Sequence, residues 1–369
     1  MLRRSFLPVL FTPALSRAQF SPKPAYPPST ALGEMVLDWS THKRDAPGSD
    51  NWQLTWADDG HLYGAWGDGG GFGGSNSDGR VSLGYGRLEG DWTSCRGVNV
   101  WGGKNALSQA TFQGKSWGTV CVAGILYMWV VPKSLLAEMQ SEARLYSSAD
   151  HGRTWTPASW AFQRADDLTI PTICQFGRNN QGARDRFVYH YFIAPRDSAG
   201  YNIQTPGAIH LARSPAGKLM ERSDYEFFSH LRRNEPVWTQ ALTRKRPVFE
   251  DRENGVGWVS SVCYNAGRKR YILMVEHTAS SRGNLGVYDA PEPWGPWTTV
   301  HFSSESAGTP FGAGQPNVPA NTFFWNLPTK WHSSNGLEFT MVFTGAGRGK
   351  DNDSLNLVRG TFSVPDKRR

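Results

Sequence analysis

Five copies of one short pattern run along the 369 residues, which is more repetition than an ordinary two-layer domain can hold. Each copy is an extended apolar stretch, a Gly-containing turn, a second stretch with an aromatic, a loop, and a third stretch. The second stretches read HLYGAWGDG (His61–Gly69), GILYMWVVP (Gly124–Pro132), RFVYHYFIAP (Arg186–Pro195), KRYILMVEHT (Lys269–Thr278) and LEFTMVFTG (Leu337–Gly345). The third read RVSLGYGRL (Arg80–Leu88), ARLYSSAD (Ala143–Asp150), AIHLARS (Ala208–Ser214), NLGVYDA (Asn284–Ala290) and SLNLVRGTF (Ser354–Phe362). A β unit recurring every ~60–80 residues buries its faces only against its neighbours, which is the mark of radial repetition. The pattern therefore predicts an all-β chain folded as a five-bladed β-propeller with four-stranded blades.

The length alone would suggest two domains, but a ring of blades is one domain with several inter-blade cores. Gly 40, Pro 23 and Trp 16 suit a turn-rich chain with large aromatics between sheets. The best short helix candidate is Ser134–Ala143. The expected blades are Asn51–Asn99, Trp117–Phe162, Ile170–Phe228, Trp258–Phe302 and Phe323–Pro365 within a propeller spanning 34–365. Glu34–Trp39 is expected to add an outer strand to the last blade and close the ring.

Residues 1–18 read as an export signal: basic Arg3–Arg4, apolar Phe6–Leu15, and the small-x-small site Ser16–Arg17–Ala18. The RRSFL string also resembles a twin-arginine signal, so a secreted or periplasmic location is expected. No apolar run is long enough to span a bilayer. A Pro-rich lead (19–33) and a basic tail (366–369) flank the propeller. The net charge of +7 becomes +4 once Arg3, Arg4 and Arg17 are removed, with no basic groove for nucleic acid. A monomer is expected. The four cysteines are too few for a disulfide scaffold. Cys121, Cys174 and Cys263 occupy first strands and read as small buried hydrophobes, since no zinc-ligand spacing is present. Ser148–Trp155 (SADHGRTW) matches the Asp-box of sialidase-like propellers, a fold signal on the outer part of a blade.

In a four-stranded blade the start of strand one and the end of strand two meet on one rim. Blade one puts Asp50 and Asp68 there; aligning second strands on their aromatic adds Glu276 in blade four. The other blades offer Pro132, Ala194 and Thr344, so acids occur at two blades only. Two carboxylates across a cleft are the minimum for glycoside hydrolysis, and their separation separates retention from inversion. Asp50, Asp68 and Glu276 are thus the candidate catalytic acids. The glycine-rich Asp68–Gly79 is expected to face a ligand. Trp52, Phe72, Trp101 and Trp117 suit sugar faces; Asp78, Lys104, Asn105, Lys115, Arg184, Tyr191 and His277 could bind hydroxyls. No cofactor is required; a structural calcium ion on the axis is conceivable.

The same segments resemble a known family. WADDGHLYGAWGDGGGFGGSNSDGRVSLG, NVWGGKNA, GARDRFVYHYF, PVFED and APEPWGPWTTV are similar to the bacterial family catalogued as domain of unknown function 4185, over about Asp38 to Phe362. The resemblance implies a five-bladed propeller like that of family 43 furanosidases, with some members cutting D-arabinan internally. By position it implies Asp50 as a catalytic acid with Asp68 as partner; it implies no role for Glu276. The leading expectation is a secreted hydrolase of furanosidic, arabinan-like polysaccharide. Two others stand beside it. One is a uronate lyase built on Tyr189, His190, Tyr191 and Arg184; the other is a non-catalytic sugar-binding propeller.

Overall fold

The computed structural model describes residues 22–108, 114–131, 141–195, 203–316, 318 and 321–365. The export signal, the basic tail and most of the short helix candidate lie outside them.

Among the described residues, twenty-three strands form five antiparallel sheets. After β1 (Met35–Asp45), blade one holds β2 (Asp50–Trp56), β3 (Leu62–Gly67), β4 (Leu83–Glu89) and β5 (Arg96–Trp101). Blade two holds β6 (Lys115–Val122), β7 (Ile125–Val131), β8 (Glu142–Ser148), β9 (Thr156–Pro157) and β10 (Phe162–Gln163). Blade three holds β11 (Thr169–Ile173), β12 (Phe187–Ile193), β13 (Ala208–Pro215), β14 (Glu226–Arg232), β15 (Glu235–Thr239) and β16 (Pro247–Glu250). Blade four holds β17 (Ser260–Asn265), β18 (Arg270–Glu276), β19 (Leu285–Ala290) and β20 (Thr298–Phe302). Blade five holds β21 (Phe323–Asn326), β22 (Glu338–Thr344) and β23 (Leu355–Phe362).

The ring closes as the sequence predicts: β1 pairs with β23, from Met35 opposite Phe362 to Asp45 opposite Leu355. Burial follows position in the ring. The inner strands β3 and β6 are buried at every residue, whereas the outer strand β1 largely alternates buried or half-buried with exposed positions. A strand covered on both faces needs a continuous apolar run; an edge strand needs only every second residue.

Blade three departs from the expected limits and ends at Glu250 rather than Phe228. Its fourth position is split: β14 pairs with the lower part of β13 and β16 with the upper part, leaving an inserted segment between them. The lead is docked rather than a free linker. Ser29 N donates to Thr299 O at 2.7 Å, and Tyr26 packs on Phe249 and Tyr288. Inside the ring, His190 is buried and neutral. It accepts from Trp129 Nε1 at 3.1 Å and meets Ser214 Oγ at 3.2 Å, and burial pushes its pKa down to about 3. The unfolded chain protonates His190 first, so stability should fall as pH drops from ~6.5 towards that value. Thermal denaturation between pH 7 and 4 should give a shallower slope for His190→Gln than for the unaltered protein.

Candidate active site

The rim that carries Asp50 also carries the β3–β4, β5–β6 and β22–β23 loops, and polar groups from three blades converge there. Asp50 opens β2, and the next residue, Asn51, has φ 61 in a bulge. Asn tolerates this left-handed conformation better than most residues. Asn51 N donates to Thr344 Oγ1 at 3.0 Å and its Nδ2 donates to Ser116 O, so blades five and two both clamp the start of β2. Asp68, with φ 54, turns the chain out of β3.

Lys115, the first residue of β6, is buried, and its Nζ lies 2.6 Å from Asp68 Oδ1. Arg80 Nη2 reaches Asp68 Oδ2 at 3.2 Å. Asp50 is only partly covered, yet desolvation raises its pKa to about 8, opposed by Lys115 and reinforced by Asp68 and Asp353. Asp353, from the β22–β23 loop, is raised to about 6 by burial and by Asp68. Its loop is moored to blade one: Gly48 N donates to Asp353 O at 2.7 Å and Asn76 N to Asp351 Oδ1 at 2.8 Å. The result is three carboxylates around one buried ammonium and one guanidinium, with the Asp50 proton affinity pushed towards neutrality.

Gly67 is part of this geometry. A Cβ there would sit 2.4 Å from Asp50 Oδ1 and 3.1 Å from Lys115 Nζ. Gly67→Ala should therefore displace both groups, costing about 1–3 kcal/mol of stability. Thermal melts and rate assays on the same preparation check this, and turnover should fall further than the melt implies.

The glycine-rich loop packs on its own protein. A Cβ on Gly69 would meet Gly48 O at 2.3 Å, one on Gly70 would meet Asp78 O at 2.0 Å, and one on Gly71 would meet Asn99 Oδ1 at 2.4 Å. Asn99 staples the loop, accepting from Phe72 N at 2.9 Å and donating to Phe72 O at 3.0 Å. The glycines at 69–71 thus let the loop pack closely on its own protein.

Several other candidates are carried away from the rim cluster. Trp52 stacks on Trp66 and packs at a tilt on Phe72 inside blade one, and Trp101 stacks on Tyr85. Trp117 is buried edge-on to Trp258, which packs on Phe324. Arg184 lies in the β11–β12 loop at the opposite end of the propeller, ion-paired to Glu292 at 2.8 Å. Tyr191 is buried, its hydroxyl donating to Pro293 O at 2.7 Å. His277 is buried against Phe302, with Nε2 3.0 Å from Ser303 O. These side chains read as sugar ligands in sequence because the chain alone does not reveal which blade face each one meets. Asp78 and Lys104 form an exposed pair, 2.5 Å apart, on the outer lip of the loop, and Asn105 sits in the adjacent turn.

Glu276 ends β18 on the same rim but is buried apart from the aspartates. Ser281 N donates to its Oε1 at 2.5 Å, and desolvation raises its pKa to about 8, with Ser280 and Trp258 as further neighbours. Asp353 and Arg80 went unnoticed in the sequence. Both lie at the entry to a third strand, which shares this rim with the end of the second, and that alignment would have found them.

Along the axis a cavity of about 20 Å³, room for one water, is lined by groups such as Gln53, Gln175, Ser261, Cys263 and Asn326. No set of three His, Cys, Asp or Glu side chains among the described residues is placed to hold a metal ion.

Comparison with known proteins agrees with this architecture. No curated protein matches the chain. A solved Bacteroides ovatus protein aligns with a TM-score of 0.55 and 11% identity, over 88% of this chain and 90% of that one. The catalytic domain of a Coprinopsis cinerea GH62 alpha-L-arabinofuranosidase aligns with a TM-score of 0.53 and 13% identity, over 90% and 98%. RS223 beta-xylosidase aligns with a TM-score of 0.51 and 13% identity, over 86% and 95%. At these identities the likeness is one of fold. The sequence adds membership: the model of one family matches residues 118–320, more than half of the chain. The chain therefore belongs to the family described as Domain of unknown function (DUF4185).

Proposed function

We propose that the protein is a glycoside hydrolase acting outside the cytoplasm on a furanosidic, arabinan-like polysaccharide. One observation carries the reading: Asp50, Asp68 and Asp353 share one rim with Lys115 and Arg80, and the Asp50 pKa is raised to about 8. Asp50 protonates the leaving glycosidic oxygen as the bond to the anomeric carbon breaks. Asp68, oriented by Lys115 and Arg80, serves the other face, either attacking that carbon or taking a proton from the water that does. If Asp68 attacks, water then cleaves its bond to the sugar while Asp50 takes the water proton back. If Asp68 takes the water proton, it releases it to solvent and Asp50 is reprotonated from solvent. In both routes the water hydroxyl ends on the anomeric carbon. The fold shared with an alpha-L-arabinofuranosidase and a beta-xylosidase supports glycoside hydrolysis, and the furanoside rests on the family resemblance of the sequence. The donor sets do not suit calcium: the axial cavity offers amide, hydroxyl and thiol groups, and the rim carboxylates face cations.

A uronate lyase is less well supported, because Arg184 and Tyr191 are remote from the rim and His190 is enclosed between Trp129 and Ser214. Reducing-end release from D-arabinan, L-arabinan and polygalacturonate tests the proposal. Release from an arabinan supports it; a new ultraviolet-absorbing double bond from polygalacturonate, or no release from any polymer, overturns it.

A further inference from the structure

The segment that splits the fourth strand of blade three is a discrete arm. Arg246 N donates to Phe228 O at 2.9 Å, so the arm leaves and returns at one point of the blade. Between them, β14 and β15 form a hairpin in which Arg232 lies opposite Glu235 and Leu231 opposite Pro236. Trp238 anchors its inner side, packing on Phe228 at 6.1 Å and Trp294 at 6.0 Å, with the Arg213 guanidinium 4.1 Å from its ring centre.

The outer side of the arm is cationic. Residues 229–246 contain Arg232, Arg233, Arg244, Lys245 and Arg246 against the single acid Glu235. The four arginines are exposed. Nearby Arg213 and Arg252 are neutralised by Glu226 and Glu250, but these four form no ion pair among the described residues. The hairpin turn adds an independent observation. Its two residues, Arg233 and Asn234, have φ of 53 and 67. Such a turn favours Asn, Asp or Gly at both positions, and an arginine in the left-handed region costs about 1–2 kcal/mol. The exposed tip thus carries an arginine side chain where Asn or Gly would relax the backbone. The strand from Phe228 to Arg232 separates the tip cations from the basal ones by about 14 Å, an extended line of charge.

We infer that this arm is a docking site for an anionic polysaccharide, one bearing carboxylate or phosphate groups along its chain. An extended line of separate cations matches charge repeated along a polymer. An anionic membrane fits less well, because Leu231 is the one large apolar side chain that the arm exposes strongly. Nucleic acid fits less well, since Trp238 is packed inward and the one ring the arm exposes is the small imidazole of His230. The arm is separate from the rim carboxylates, so this docking does not depend on the hydrolase reading.

The test is affinity electrophoresis and calorimetry of the whole protein with polygalacturonate and a wall teichoic acid, with neutral arabinan and phosphatidylglycerol vesicles as comparators. The unaltered protein should bind an anionic polymer, and the combined variant Arg232→Ser, Arg233→Asn, Arg244→Ser, Arg246→Ser should bind roughly tenfold or more weakly. Raising salt from 50 to 500 mM should erase the difference. Arg233→Asn suits the turn, so the melting temperature should not fall, and this keeps a binding loss interpretable. Equal binding of the variant to the anionic polymers, preference for neutral arabinan, or binding to vesicles alone would each overturn the inference.

Discussion

Replacing Asp50 or Asp68 with Asn should lower turnover by on the order of 10²–10⁴, the range expected when an acid or base is removed from a proton-transfer step. The fold should survive, because Asn keeps the shape of the side chain. At position 50 it also removes a charge that burial disfavours. The melting temperature of Asp50→Asn should therefore equal or exceed that of the unaltered protein at alkaline pH. The sign follows from the raised pKa. The folded state holds the Asp50 proton up to about 8, whereas the unfolded chain releases it near ~4, so stability from this group declines as pH rises between those values. The rate should follow the same group, with kcat/KM falling as pH passes upward through about 8. Rates on a soluble arabinan over pH 4 to 10, beside melts of both variants, check all three outcomes. Full turnover in Asp50→Asn would remove it as the proton donor, and loss of turnover together with loss of fold would remove the catalytic interpretation.

Lys115→Met should have the second-largest effect, and it should act through both stability and chemistry. Lys115 is buried at the start of β6 and is the largest opposing influence on the raised Asp50 pKa. Without it, Asp68 keeps only Arg80, and Asp50 and Asp353 repel one another and Asp68 with less compensation. Breaking a fully buried pair costs about 3–5 kcal/mol. Asp68 is 36% exposed, so solvent screening reduces the expected loss to about 1–3 kcal/mol. The pKa of Asp50 should climb further, moving the alkaline limb of the pH–rate profile upward while the maximum rate falls. Denaturant melts and the pH profile together separate this from a purely structural role, which would shift the melt and leave the profile in place.

Glu276 provides a contrast within the same rim. Its pKa is likewise raised to about 8 by burial, but its neighbours are Ser280, Ser281 and Trp258 rather than the aspartates. The internal repeat placed Glu276 and Asp68 at equivalent positions on the rim, but the backbone separates them: Glu276 is still paired in β18, opposite Leu285, whereas Asp68 follows β3 in the left-handed region. What the repeat could not convey is that Lys115 and Asp353 gather beside blade one, while Trp117, Trp258 and Phe324 fill the space at blade four.

Strand direction and alternation are local properties, so the sequence alone determined the five blades, the closing role of Met35–Asp45, and the rim placement of Asp50 and Asp68. Each rests on a pattern a few residues long, and each survives in the ring because antiparallel neighbours fix which end of a strand is which. Ring closure decided the rest. Asp353 reaches Asp68 only because blade five returns beside blade one, and Lys115 reaches it only because blade two follows at the right angle. The same closure buried Tyr191 and His277, whereas Arg184 is at the far end because it sits in the turn between the first two strands of blade three. Contacts between blades join residues remote in sequence through side-chain packing, and no local periodicity records which of those packings will form.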